Sequence, residues 1–255
     1  MRFACLGSGS EGNALLVESG KTRLLLDCGF NLRETTARLA RLGRSPSDLS
    51  AILVSHEHGD HVGGVPRLAA KFGLPVWLSH GTHLQLAAIG QMPEQFHLFD
   101  THHPFAVGDL WIQPFPVPHD AREPTQFVFS DGAYRLGVLT DLGRSTRHIE
   151  TMLDRVDALV LECNHDVELL AAGPYPPTLK RRVAGDYGHL SNAAAAALLA
   201  KLDTRRLKHI IAAHLSRTNN RPGLARQALA QVLACEQDWI AIADQDTGLD
   251  WRQLL

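Results

Sequence analysis

The run His56-Glu57-His58-Gly59-Asp60-His61 puts four candidate metal ligands into six consecutive residues. Imidazole nitrogens and carboxylate oxygens are common ligands for a divalent ion such as zinc. The run follows directly on Ala51–Ser55, which reads as a short buried strand. A strand end that opens into a turn is a common place for site residues, because the strand fixes the backbone. Residues two apart in an extended segment point the same way, so His56 and His58 can grip one ion together. Asp60 and His61 lie where the chain turns into the next helix and can face a second ion beside the first. Gly59, Gly63 and Gly64 permit the sharp backbone path. A histidine-rich surface loop is the bland alternative, and it does not account for four ligand types gathered behind one apolar strand.

The rest of the chain must position that run. Arg2–Leu6, Ala14–Glu18 and Thr22–Asp27 read as strands joined by turns at Gly7-Ser8-Gly9-Ser10 and Ser19-Gly20. Asn31–Leu42 carries apolar residues at helical spacing, Val62–Phe72 reads as a second helix, and Pro75–Ser79 as a strand. Leu110–Val117, Gln126–Ser130 and Tyr134–Thr140 are three more strands, the last two a hairpin around Asp131-Gly132. Later, strands at Ala158–Glu162, His209–Ala213 and Trp239–Ala243 alternate with helices at Ser145–Leu153, Pro176–Val183, Ser191–Leu202 and Gly223–Leu233. Ser191 is the expected N-cap of its helix. The order suits two sheets packed face to face with helices outside. No linker or repeat divides residues 1–255, which read as a single domain.

HxHxDH is the motif of the metallo-β-lactamase superfamily, and this chain resembles that superfamily from end to end. The resemblance implies an α/β fold, the four-layer αββα sandwich. Such folds collect further ligands from later strand ends, where this chain has His119, Asp141 and His214. By resemblance, His56, His58 and His119 hold one ion, Asp60, His61 and His214 hold the other, and Asp141 bridges them. Asp27 resembles the buried aspartate that braces the metal loop from behind. Two divalent metal ions per chain are therefore expected. The N and O donor set suits zinc and leaves manganese or iron possible.

The chain is similar in particular to one branch, the WalJ/YycJ family. The specific blocks are Thr140-Asp141-Leu142-Gly143, Leu161-Glu162-Cys163-Asn164-His165-Asp166, Gly188-His189-Leu190-Ser191-Asn192 and His214-Leu215-Ser216. This implies a phosphodiesterase that digests DNA from the 5′ end, with a role in DNA repair. In the implied mechanism a metal-bound hydroxide attacks phosphorus, Asp60 accepts its proton, and His189 assists the leaving oxygen. Glu162, Asn164 and His165 follow a strand end, so they can orient His189 or touch substrate. Ser10 and Asn13 sit in a loop that can present N–H groups to a phosphate or merely close a hairpin. Ser216 is a further candidate substrate contact.

Charge gives partial support. Thr178–Arg226 holds ten Lys and Arg residues against two Asp, a local excess of eight in a chain of net charge −2. A basic sector beside a metal site is what a phosphate backbone would want. A solvated helix face is the alternative. Lys180, Arg181 and Arg182 lie nearest His189 in sequence and are the candidate phosphate contacts. The chain is 45 % hydrophobic and 20 % charged, an ordinary globular balance. Neither a signal peptide nor a membrane span is expected, since no apolar run nears about 18 residues. Cys5, Cys28, Cys163 and Cys235 form no CxxC pair, which suggests reduced thiols in the cytoplasm. Two other readings share the ligands: a small or cyclic phosphodiester hydrolase, and a metal-bound regulatory scaffold without turnover. The sequence leaves the oligomeric state open.

Overall fold

The computed structural model describes all residues from Met1 to Leu255. The first sheet takes strands β1 (Arg2–Gly7), β2 (Ala14–Ser19), β3 (Thr22–Leu26), β4 (Ala51–Leu53), β5 (Val76–Ser79) and β6 (Phe96–Phe99) side by side in chain order. The second takes β7 (Phe105–Val107), β8 (Leu110–Pro116), β9 (Thr125–Ser130), β10 (Arg135–Leu139), β11 (Ala158–Glu162), β12 (His209–Ala213) and β13 (Ile240–Ile242) in the same way. β14 (Leu249–Gln253) returns to the first sheet beside β1. Each sheet begins antiparallel and becomes parallel part-way across. The switch falls at β3, which is antiparallel to β2 and parallel to β4. It falls again at β10, antiparallel to β9 and parallel to β11.

Both sheets are covered on both faces, so their central strands are continuous apolar runs whose alternate residues enter different cores. Along β11, Ala158 and Val160 pack between the sheets, whereas Leu159 and Leu161 pack against outer helices. The inter-sheet core includes Phe3, Val17, Leu24, Phe127, Phe129 and Ile211. Helices α1 (Leu32–Arg41), α2 (Gly59–Val62), α3 (Val65–Phe72) and α4 (His80–Ala88) follow strands of the first sheet. α5 (Arg147–Leu153), α6 (Val167–Ala172), α7 (Pro177–Val183), α8 (Asn192–Leu199) and α9 (Pro222–Leu233) follow strands of the second. Three apolar layers between four structural ones make this the αββα sandwich. No helix is long and apolar enough to cross a membrane.

Most expected elements form. Ser191 caps α8 by accepting from the Ala194 N–H, as its position predicts. The single helix expected at Val62–Phe72 is broken at Gly63-Gly64 into α2 and α3. The break lets the metal loop press on its neighbour: a Cβ on Gly64 would lie 1.9 Å from the Phe30 carbonyl oxygen. The strand expected from Trp239 is shorter, because Gln237–Trp239 forms a 3-10 turn before β13. Five elements carried no sequence expectation: β6, β7, β14, α4 and α6. β6 and β7 are short strands at the sheet edges with largely unburied side chains, so they lack a clean alternation of apolar and polar residues.

Candidate metal centre

Every ligand-type residue expected at the site stands just beyond a strand end at one edge of the sandwich. His56–His61 follows β4, His119 follows β8, Asp141 follows β10 and His214 follows β12. Asp27, Asp141 and His214 adopt left-handed backbone, with φ of 60°, 54° and 55°. That conformation is uncommon for residues other than glycine and clusters at functional sites. Gly29 allows the closest backbone approach: a Cβ there would fall 1.8 Å from the Asp60 carbonyl oxygen. Backbone bonds from Asn13 N to Asp60 O (2.8 Å) and from Cys28 N to His61 O (2.7 Å) fasten the loop from two sides.

Each imidazole is tied through one nitrogen, and its other nitrogen faces the ligand cluster. His61 Nδ1 donates to Asp27 Oδ2 at 2.8 Å, and Asp27 also accepts from Ser55 N and Ser55 Oγ, each at 2.8 Å. His119 Nδ1 donates to the Gly188 carbonyl at 3.1 Å, and His58 Nε2 to the Asp120 carbonyl at 3.2 Å. His56 Nδ1 meets Ser55 Oγ at 3.0 Å. His214 Nδ1 lies 3.2 Å from Glu162 Oε1. Acceptors of this kind fix the tautomer of a metal-binding histidine and raise its basicity.

The opposite nitrogens converge. The ligand atoms of His56, His58 and His119 lie within 4.8 Å of one another, as do those of Asp60, His61 and His214, and of His56, His61 and Asp141. His61 Nε2 is 3.2 Å from Asp141 Oδ2, and His214 Nε2 is 3.5 Å from Asp141 Oδ1. His56 Nε2, Asp141 Oδ2 and His214 Nε2 are buried without a hydrogen-bond partner. Buried polar atoms are seldom left so, and three of them within this ligand cluster fit divalent cations. Burial opposes charge on His214, yet Asp141, Asp60 and Glu162 outweigh it and lift its pKa to about 10. Burial alone would push Asp141 up, but His214 and His61 hold it well below the usual carboxylate range. Burial, and then the neighbouring His61, push His56 well below the usual imidazole range.

A cavity of about 340 Å³ opens over these atoms, lined in part by Ser10, Asp60, Asp120, Arg182, His189 and His214. His189 Nδ1 donates to Glu162 Oε1 at 2.7 Å. Burial works against its protonation, but Glu162 and then Asp141 raise its pKa. Glu162 is fully buried and also accepts from the N–H groups of Asp141, Leu142 and Leu190. Burial pushes that carboxyl up, and the imidazoles of His189 and His214 bring it down to about 2.

The expected substrate contacts separate. Ser10 and Arg182 line the cavity. Asn13, expected at the substrate, points its amide at Asp60 Oδ2 (3.3 Å) and His61 Nε2 (3.2 Å). Asn164, likewise expected there, is buried and bonds to the His214 carbonyl at 3.1 Å. Ser216 borders a different cavity and accepts from the Asn219 N–H. His165, Lys180 and Arg181 line a further cavity next to this one. The basic sector is partly neutralised: Lys201 pairs with Glu150, Arg205 with Asp203, Arg206 with Asp157 and Arg217 with Glu11. Two useful residues were not singled out in the sequence. Asp120 lines the cavity and holds Arg182 Nε at 2.6 Å. Glu57, inside the histidine motif, accepts from the Arg122 N–H at 2.7 Å and so ties down the loop after His119. The acid directly after His119 was the available signal for Asp120.

Residues 22–210 match the family described as Beta-lactamase superfamily domain. Exodeoxyribonuclease YycJ of Bacillus anthracis is 38 % identical over 235 residues, covering 91 % of this chain and 89 % of that protein. The chain belongs to the metallo-β-lactamase superfamily and, within it, to the WalJ/YycJ family. Exodeoxyribonuclease WalJ of Streptococcus pneumoniae is 34 % identical over 255 residues, covering 98 % of this WalJ/YycJ-family chain and 92 % of that protein. The fold is also that of the metallo-beta-lactamase fold protein YhfI of Bacillus subtilis, with a TM-score of 0.75 at 16 % identity over 99 % of both chains. Clustered ligands on this scaffold mark a metal-dependent hydrolase of the WalJ/YycJ family.

Proposed function

We propose that this hydrolase is an exonuclease that degrades DNA from its 5′ end and serves DNA repair in the cytoplasm. The observation that carries the reading is the likeness to exodeoxyribonucleases along nearly the whole chain, with a ligand cluster at its centre. In this reading His56, His58 and His119 would hold one ion and Asp60, His61 and His214 the other, with Asp141 shared by both. The donor set of imidazole and carboxylate favours zinc and admits manganese or iron. Three buried, unpaired cysteines accord with a reducing compartment.

When bound, two divalent ions acidify water and neutralise charge on the phosphate oxygens. The side chains do the rest. Asp60, steadied by the Asn13 amide, has a carboxylate on the cavity wall where it takes up the proton of the attacking water. His189 gives a proton to the leaving oxygen from Nε2, because Glu162 occupies its Nδ1–H. Arg182, held by Asp120, presents its remaining guanidinium N–H groups to a phosphate. Duplex DNA labelled at the 5′ or the 3′ end, incubated with the protein and Mn²⁺ or Zn²⁺, tests the reading. The 5′ label should leave first as short products while the 3′ label stays in long, shrinking strands. Early loss of the 3′ label would reverse the polarity. Cleavage of a small diester without DNA degradation would favour a small-phosphodiester hydrolase.

A further inference from the structure

A second cavity, of about 540 Å³, adjoins the metal cavity, and His189 forms part of the wall of both. Its size falls within the roughly 300–1,000 Å³ of sites that enclose a small organic ligand. α6, α7 and the start of α8 build it. Leu170, Ala171, Ala184 and Ala194 make an apolar wall. Lys180 and Arg181 stand on the same cavity. Lys180 Nζ spans to the Ala171 carbonyl at 2.5 Å, which leaves two of its three donors free. Arg181 is exposed and makes no ion pair, unlike Arg182 beside it.

His165, a candidate substrate contact from its place after β11, is a polar member of this lining. It is 2 % exposed, yet its one side-chain hydrogen bond is the long contact from Nδ1 to Asn164 Oδ1, 3.4 Å. Its Nε2 meets no protein group, although the ring borders the cavity. That nitrogen is therefore open to the cavity and free to bond with a ligand there. An apolar wall, one ring nitrogen open to the cavity and two cations are a mixed set. A bare phosphate has no use for the wall, and an aliphatic chain has none for the nitrogen or the cations. A nucleotide uses all three.

We propose that this cavity is a nucleoside subsite, holding the base and sugar of one nucleotide that flanks the scissile phosphate. His165 Nε2 bonds to a polar atom of the base, the α6 and α7 side chains cover its face, and Arg181 meets the next phosphate along the strand. His189 is the partition between subsite and reacting phosphate. The assignment rests on the phosphodiesterase reading above and adds to it what the enzyme grips beyond the diester.

Calorimetric binding of thymidine 5′-monophosphate and of deoxyribose 5-phosphate tests it, because the two ligands differ only in the base. Wild-type protein should bind the nucleotide about tenfold more tightly, a low value for seating one base. The double variant Ala171→Leu/Ala184→Leu adds bulk at two exposed positions of the wall and should abolish that preference while keeping the affinity for deoxyribose 5-phosphate. His165→Phe, which keeps the ring and removes its nitrogens, should reduce the preference. Thermal melting checks that each variant is folded. Equal binding of both ligands by wild type, or a preference that survives the double variant, overturns the subsite. Wild-type turnover of bis(p-nitrophenyl) phosphate separates the two readings. Turnover with no base preference rejects the subsite alone. A base preference with no turnover of any diester rejects the phosphodiesterase and leaves a nucleotide-binding cavity.

Discussion

Glu162→Gln is the most informative single change, because every hydrogen bond to that carboxylate points inward from a donor. Oε1 faces the Asp141 N–H and the Nδ1 atoms of His189 and His214, at 3.2, 2.7 and 3.2 Å. Oε2 faces the N–H groups of Leu142 and Leu190, at 3.0 and 2.9 Å. Glutamine has the same shape but carries two hydrogens on one arm, and either orientation of its amide creates a conflict. If the NH2 takes the place of Oε2, two backbone donors are orphaned, a loss of about 2–6 kcal/mol at roughly 1–3 kcal/mol each. If it takes the place of Oε1, only the Asp141 N–H is orphaned, costing about 1–3 kcal/mol, but both imidazoles must turn Nδ1 into an acceptor. Their protons then move to Nε2, where His214, as a ligand in the proposed centre, would need a lone pair for metal. Loss of such a supporting partner typically weakens metal binding by about 10–100-fold.

The two readouts therefore trade against each other. Thermal unfolding of the metal-free variant should fall by at least about 2–12 °C, from about 2–4 °C per kcal/mol in a chain of this size. Metal titration should show weakened binding at the His214 site in proportion as the melting loss stays small. A Glu162→Gln protein with wild-type melting temperature and wild-type metal affinity would refute the reasoning, since neither amide orientation permits both.

Four other outcomes are expected. Metal analysis after re-addition of Zn²⁺ or Mn²⁺ should approach two ions per chain, and Asp141→Ala should weaken both sites together and remove turnover; normal metal content in that variant would reject Asp141 as the bridge. His189→Ala should lower turnover by about 10²–10⁴-fold with metal content intact, the usual worth of general acid help; lost metal instead would make His189 a ligand. Replacing Lys180, Arg181 and Arg182 together should weaken DNA binding and flatten its salt dependence by about 0.7–0.9 log unit per lost phosphate contact. Glu18 concerns stability alone: burial pushes its carboxyl up, but hydrogen bonds from Arg44 and Arg2 win and lower it. Its contribution is present above the unfolded carboxyl pKa and is lost as pH falls through the lower folded value. Melting of wild type and Glu18→Gln should thus differ at pH 7 and converge in acid, and a gap independent of pH would exclude this electrostatic origin.

The metal motif and its strand were legible because both signals are local. His56–His61 is contiguous, and the apolar run before it needs no knowledge of distant chain. His119, Asp141 and His214 could be picked out only by the family pattern, since one polar residue at a strand end carries no information about its neighbours in space. Asn13 and Asn164 could not be placed from sequence. A loop amide that faces substrate and one that steadies a ligand look alike until the Asp60 loop and β12 are seen packed against them. The same limit hid the pairing of Arg205, Arg206 and Arg217 with Asp203, Asp157 and Glu11, which a charge count along the chain sums as free cations.

The sheets explain why ligands so distant in sequence converge. Where a sheet turns from antiparallel to parallel, the strand at the switch ends beside another strand end, and the connections diverge to leave a gap. β3 and β10 are those strands, and Asp27 and Asp141 stand just past their ends in matching left-handed conformations. One aspartate braces His61 from the first sheet, and the other offers its unpartnered oxygen from the second. β4, β11 and β12, running parallel beside them, deliver His56–His61, Glu162 and His214 to the same edge. The inter-sheet core beneath fixes the separation of the two aspartates, because closely packed interiors resist displacement. A cavity made deep in that core, as by Phe127→Ala, should therefore disturb metal binding through spacing, since Phe127 packs between the sheets with Phe99 and Phe129. Its expected signature is weaker affinity at both sites together, whereas loss of a single imidazole acts mainly at one. Unchanged affinity in a destabilised Phe127→Ala protein would show that the loops, and not the sheets, set the geometry.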